Sequence, residues 1–211
     1  MRMRRKPNLI PRLDACSDYI LAEPTALFGA WRTEFPQFSE VHVELGCGKG
    51  RFTFETAQAN PQTLLIGVER VPDAAVVAAE RIKNGGLSNA KLIINDVTLL
   101  PSVFKKGEIS HIYINFCDPW SKARYAKRRL TSDGFLALYR ELLPPGGEIH
   151  FKTDNADLFE YSLERLAACN FELSEVTRDL HENGPVGIMT DYEAKFHAEG
   201  VKINRCVAKP I

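Results

Sequence analysis

The sequence contains no apolar run near the ~20 residues that a membrane-spanning helix needs, and no leader-like apolar stretch near its start. Both absences point away from membrane and secreted proteins. It has no C-x-x-C pair either. Its cysteines, Cys16, Cys47, Cys117, Cys169 and Cys206, are odd in number and scattered. That argues against a disulfide framework or a cysteine zinc site and suits a reducing compartment, so a cytoplasmic protein is expected. The five histidines are equally dispersed, and no metal site is expected from them. Internal repeats and low-complexity tracts are missing too. Nor is there an excess of charge, since 27 Lys and Arg balance 27 Asp and Glu. Net charge alone therefore demands no polyanionic partner.

What is present is uneven. Arg2, Arg4, Arg5, Lys6 and Arg12 precede the first acid, Asp14, and Lys122 to Arg129 carry five positive charges with no negative one. Two acid-free basic tracts raise the prospect of a phosphate-backbone partner. Residues 1–40 read as a basic arm with a short helix, and 41–211 as a catalytic domain. From Val41 onward, apolar strands alternate with helices: strands at 41–45, 63–69, 91–96, 109–116, 148–154, 171–177 and 201–208. The helices between them include 51–60, the Pro72-led segment closed by Asn84-Gly85-Gly86, 157–168 and a short one near 191–198. Thr131 or Ser132 is suited to cap a further helix with Phe135, Leu138 and Leu142 on one face. This alternation predicts an α/β fold, a mostly parallel sheet with helices on both faces.

Ligands of such sheets bind beyond the carboxyl ends of the strands, so those ends carry the chemistry. The first strand runs into Glu44-Leu45-Gly46-Cys47-Gly48-Lys49-Gly50. The dinucleotide fingerprint G-x-G-x-x-G needs glycine where Arg51 stands, which sets a nicotinamide enzyme aside. Glu69 ends the second strand, where an acid can accept from both hydroxyls of a ribose. Asn95-Asp96 ends the third, suited to the exocyclic amine of adenine. Asp118 ends the fourth, and Pro119, Trp120 and the basic tract follow it.

These residues resemble a known family, the bacterial tRNA (guanine-N7-)-methyltransferases. The resemblance rests on "VELGCGKGRF" (43–52), "GVER" (67–70), "DPWSKARYAKRRL" (118–130), "HFKTDN" (150–155) and "TDYEAKF" (190–196). It implies a Rossmann-like class I methyltransferase fold with an antiparallel C-terminal strand. It also implies S-adenosylmethionine as cofactor, bound by Glu44, Gly46, Glu69, Asp96 and Asp118, with Asp118 catalytic as well. By the same resemblance Lys122, Asp154, Thr190, Asp191, Tyr192 and Glu193 contact the substrate. Arg124, Tyr125, Ala126, Lys127, Arg128 and Arg129 lie on tRNA, and a guanine of its variable loop is the target. A homodimer stays open. The chain departs from the family pattern at Ser121, where Pro is common, at Tyr125, where His is common, and at Cys117, where Ser is frequent. Two alternatives remain beside this reading. "DPW" is similar to the D-P-P-[YFW] signature of exocyclic-amine methyltransferases, although it lacks the second Pro. A non-catalytic RNA-binding module with a vestigial nucleotide pocket is the other.

Overall fold

A computed structural model describes residues 6–211. Arg2, Arg4 and Arg5 of the expected basic arm lie outside the described residues. Helix α1 (Leu9–Asp14), single 3-10 turns at Ser17–Tyr19 and Pro24–Leu27, and α2 (Trp31–Glu34) lead into β1 (Glu40–Leu45). Next come α3 (Arg51–Ala59), β2 (Thr63–Val68), α4 (Pro72–Gly85), β3 (Ala90–Ile93), α5 (Leu100–Val103) and β4 (His111–Asn115). A 3-10 segment, Ala123–Arg128, precedes α6 (Asp133–Leu142), β5 (Glu148–Thr153) and α7 (Ala156–Ala168). β6 (Phe171–Thr177), α8 (Asp191–Ala198) and β7 (Asn204–Pro210) complete the chain.

The strands form one sheet in the order β3-β2-β1-β4-β5-β7-β6. β1 to β5 pair in parallel, and β7 lies antiparallel between β5 and β6. This is the Rossmann-like arrangement expected, with its antiparallel C-terminal strand. The local reasons are legible in α4. Pro72 starts it with a preset φ, Asp73 meets the positive end of its dipole, and Gly86 closes it at φ 66°. In α6 the buried face is wider than the expected stripe: Leu136, Tyr139 and Leu142 are buried, while Phe135 and Leu138 pack partly against them.

Alternation along each strand sorts side chains to two faces. On one, Val43, Leu45, Ile66, Ile114 and Phe151 share a core with Val103 of α5, Leu136 of α6 and Phe159 of α7. On the other, Leu65 and Leu92 pack with Ala57 of α3 and with Ala78, Ala79 and Ile82 of α4. That second face turns polar across β1, β4 and β5, where His42, His111, Tyr113, Glu148, His150 and Lys152 point. Burial and the neighbouring His111 push the His42 imidazole down to about 4, against the pull of Glu40.

The first forty residues differ from the rest in pattern, yet their described part is fastened to the same body. Arg12 forks onto Glu80 of α4 at 2.6 and 2.7 Å, and Leu21 N–H donates to Leu92 O at 2.8 Å beyond β3. Trp31 is fully buried, stacked 4.5 Å from Phe104, and its Nε1–H donates to Val103 O at 2.9 Å. The core runs across the boundary that the sequence pattern marks at 40/41.

Candidate active site

Because β1 to β5 run parallel, their carboxyl ends share one edge of the sheet. Strand order places Asp96, Glu69, Gly46, Asp118 and Asp154 along that edge in this sequence. The direction of strand progression reverses between β1 and β4, the switch point at which such sheets open a crevice. Gly46 and Asp118 flank it.

The half of the crevice formed by β1, β2 and β3 is tightly hydrogen-bonded. Gly46 and Gly48 have φ of 75° and 57°, a backbone region that side chains rarely adopt, and a Cβ on either would meet nothing within 4 Å. Gly50 answers a different need, since a Cβ there would strike Ala78 Cβ at 2.6 Å. The first two glycines face open space, and the third lets α4 close in. Glu69 accepts from Gly48 N–H at 3.0 Å and from Val71 N–H at 2.7 Å, so both carboxylate oxygens are fixed on the turn. Asp96 accepts from Thr98 N–H at 3.0 Å and lies 3.4 Å from the Arg70 guanidinium. The Thr98 amide, against the effect of burial, draws the Asp96 carboxyl below its ordinary range. Glu44 is only 2% exposed, beneath the glycine turn, and accepts from Thr53 Oγ1 at 2.5 Å and Asn115 Nδ2 at 3.1 Å. Burial pushes its carboxyl up, opposed by those two hydrogen bonds. Asn115 Oδ1, buried beside it, has no hydrogen-bond partner among the described residues.

The half formed by β4 and β5 is different. Phe116 and Trp120 have φ of 52° and 43°, outlying values for bulky residues, and they bracket Cys117-Asp118-Pro119. Asp118 is exposed at the tip of this bend, as is Asp154 beyond β5. Neither carboxylate has a hydrogen bond among the described residues. The Cys117 thiol is pushed up to about 12, chiefly by burial and then by Asp118, and stays a neutral filler.

Helix α8 is brought to these two strand ends by one buried ion pair. Lys152 Nζ lies 3.0 and 2.9 Å from the two Glu193 oxygens and donates to Ile188 O at 3.0 Å. Burial lowers the Lys152 ammonium pKa, and Glu193 holds it up. Glu193 also closes a capping box with Thr190: its amide donates to Thr190 Oγ1 at 2.9 Å, and its carboxylate accepts from Thr190 N–H at 3.2 Å. His181 Nε2 lies 3.2 Å away. Glu193 is 0% exposed, so this arrangement makes it an anchor inside the protein, not the substrate-facing side chain expected. Of the same motif, Thr190 is buried and Asp191 lies 3.4 Å from Arg81. Asp191 is exposed, and Tyr192, at 62%, is more so. Phe196, one turn on, packs 5.9 Å from Phe116 and so seats α8 against the strained bend.

The basic stretch is not uniform. Lys122 is exposed before the 3-10 segment, as are Arg124, Lys127 and Arg128 within it. Arg124 lies over Tyr125 at 4.8 Å, and Arg128 lies over Trp120 at 5.0 Å and Tyr125 at 4.9 Å. Tyr125 and Ala126 are half-buried. Arg129 turns inward: it donates to Pro119 O at 3.0 Å and Trp120 O at 3.2 Å, and covers Tyr161 at 4.2 Å. Four cations of the stretch face solvent, and the fifth pins the Asp118 bend.

The family described as "Putative methyltransferase" matches residues 39–206. Over 209 residues the chain is 44% identical to the tRNA (guanine-N(7)-)-methyltransferase of Geobacillus kaustophilus (strain HTA426), covering 99% of this chain and 96% of that one. The chain belongs to this family. The tRNA (guanine-N(7)-)-methyltransferase of Listeria monocytogenes serotype 4b (strain F2365) is likewise 44% identical over 210 residues, 99% of this chain and 98% of its own. Among solved structures, the 16S rRNA methyltransferase KamB superposes with a TM-score of 0.65 at 14% identity, over 86% of this chain and 92% of that one. A 16S rRNA (adenine(1408)-N(1))-methyltransferase with cosubstrate SAM from Catenulisporales acidiphilia gives 0.61 at 15% identity, over 87% and 91%. These distant likenesses establish the fold.

In this member of the tRNA (guanine-N(7)-)-methyltransferase family, two features escaped the sequence reading. Lys152 sat unremarked within "HFKTDN", although a lysine in the middle of an apolar strand implies a buried partner. Thr190-Asp191-Tyr192-Glu193 has the T-x-x-E spacing of a capping box, a signal for the start of α8 and for the inward turn of Glu193.

Proposed function

We propose that this enzyme transfers the methyl group of S-adenosylmethionine to N7 of a guanine in the tRNA variable loop, giving 7-methylguanosine. One observation supports this reading most: at the sheet's switch point the unpaired acid Asp118 is joined directly to an outward-facing basic surface. S-adenosylmethionine supplies a methyl group on a cationic sulfonium. The crevice suits it on three counts: open space above Gly46 and Gly48, a fixed Glu69 carboxylate for ribose hydroxyls, and the buried free acceptor of Asn115 beside Glu44. Asp96 remains the candidate for the adenine edge.

Guanine N7 carries an in-plane lone pair and no proton, so the attacking atom needs no general base. The chain's task is alignment. Asp118 and Asp154 offer carboxylates to the N1–H and N2–H₂ edge of guanine, and their charge stabilises the cation that develops on the purine. Asp118 thus orients and stabilises, without abstracting a proton. Tyr192 is placed to touch the base from α8.

Lys122, Arg124, Lys127 and Arg128 supply phosphate contacts, which give RNA binding most of its affinity and its salt dependence. The arginines over Trp120 and Tyr125 are worth about 0.5–1 kcal/mol each at an exposed site. A base stacked on an aromatic ring is worth about 1–3 kcal/mol. An RNA base can therefore displace either arginine, freeing it for phosphate. The five cysteines are all free thiols, in keeping with a cytoplasmic protein, and no helix among the described residues is long and apolar enough to cross a membrane.

The test is to incubate the enzyme with unmodified tRNA and S-adenosylmethionine, then map the product by mass spectrometry of RNA digests. 7-Methylguanine in the variable loop is expected. Methyladenine or methylcytosine in its place, or no transfer, would overturn the reading.

A further inference from the structure

The histidines, dispersed in sequence, do not stay dispersed in the fold. His42, His111 and His150 fall on the polar face of three neighbouring strands, β1, β4 and β5. His42 pairs in register with His111 across β1 and β4, and His111 with Glu148 across β4 and β5. His42 Nε2 lies 2.9 Å from Glu40 Oε2 and 2.6 Å from His111 Nδ1. These ligand atoms of Glu40, His42 and His111 all lie within 4.8 Å of one another. Only one proton can sit between the two facing nitrogens.

The outer nitrogen of each ring faces an oxygen. His42 Nδ1 meets Tyr113 OH at 3.1 Å, and His111 Nε2 lies 3.5 Å from Glu148 Oε2, whose hydrogen bond goes to His150 Nε2 at 2.7 Å. Metal-ligating histidines are fixed in this way, each outer nitrogen held by an oxygen partner that sets tautomer and ring angle. We propose that Glu40, His42 and His111 form a divalent-metal site, a zinc site of two imidazoles and one carboxylate with water as fourth ligand. Tyr113 and Glu148 orient the rings.

The ligand set is one that zinc accepts with a position left open. Two nitrogens about 2.0–2.1 Å from a tetrahedral ion stand about 3.3 Å apart, so the two rings need to part by less than 1 Å. Glu40 has a 46% exposed side chain, which gives the ion a path in. A neighbouring group, His111 with Glu148 and His150, is less suited, because Lys209 Nζ already sits 2.9 Å from Glu148 Oε1 and supplies the positive charge. His42 lies four residues before Gly46, roughly 13 Å along the strand. The metal is therefore no participant in methyl transfer. It clips β1 to β4, the strands that flank the switch point.

Chelator-stripped protein without an affinity tag is titrated with zinc by calorimetry and then melted with and without the metal. One zinc per chain and a higher Tm are expected, since a ligand bound by the folded state alone stabilises it. His111→Ala and Glu40→Gln should weaken zinc binding by at least about tenfold, and Tyr113→Phe by about 10–100-fold, as outer-shell changes do. His150→Ala, which takes away only a hydrogen bond to Glu148, should weaken binding less than either His111→Ala or Glu40→Gln does. Circular dichroism establishes that each variant is folded; His42, being buried, is left untouched. Absence of zinc uptake overturns the proposal, as does uptake unchanged in both His111→Ala and Glu40→Gln. Loss in His150→Ala with retention in Glu40→Gln overturns it as well.

Discussion

The two halves of the crevice handle acids in opposite ways. At the ends of β1, β2 and β3, Glu44 and Glu69 each hold two hydrogen bonds from the protein and Asp96 holds three. At the ends of β4 and β5, Asp118 and Asp154 are exposed, and Asp118 is aimed by two residues with left-handed backbone. The first half is built before any ligand arrives. The second stores unmet hydrogen-bonding capacity and backbone strain, features that gather at functional sites. A nucleotide cofactor common to many enzymes suits a finished cradle. A base carried on a folded RNA requires groups that still lack partners.

The largest effect should come from breaking what holds the second half together. Lys152→Met leaves the Glu193 carboxylate buried without its cation, which costs about 3–5 kcal/mol. Chemical denaturation should show a lower midpoint, and a wild-type midpoint would deny the ion pair its anchoring role. Next is Asp118→Ala, which leaves the fold intact and removes charge stabilisation at the reacting base. A fall in kcat of about 10²–10³-fold, roughly 2.7–4 kcal/mol, is expected by analogy with loss of one electrostatic contact to a transition state. Near-normal turnover would erase the difference between the two halves. Smallest is Glu69→Gln, which removes charge-assisted hydrogen bonds to the ribose and costs one of the two backbone hydrogen bonds that the carboxylate accepts. At about 1.5–3 kcal/mol, KM for S-adenosylmethionine should rise about 10- to 150-fold with kcat little changed. A fall in kcat with KM unmoved would place Glu69 on the reacting side of the crevice.

Most of the parallel sheet was legible because buried strands write themselves as short apolar runs. β3 ends earlier than expected, at Ile93 and not at residue 96, because Asp96 caps the following 3-10 turn instead of extending the strand. The last strand begins at Asn204 and runs to Pro210, its end set by pairing with Phe171 of β6. The acids at the strand ends could be read because topology alone puts them on one edge. The meeting of Glu193 with Lys152 and that of His42 with His111 could not. The first depends on where α8 docks and the second on which strands become neighbours and in what register, and period-two alternation within a single strand carries neither fact.

The place of β7 bears on how the molecule comes into being. Among the described residues β6 pairs with no strand but β7, which joins it to β5. A chain leaving the ribosome thus makes β6 before its seat exists. Until residues 204–210 emerge, that strand lies against α7 without its strand partner and presents bare edges to other chains. The sheet closes from the middle outward, with β7 acting as the keystone.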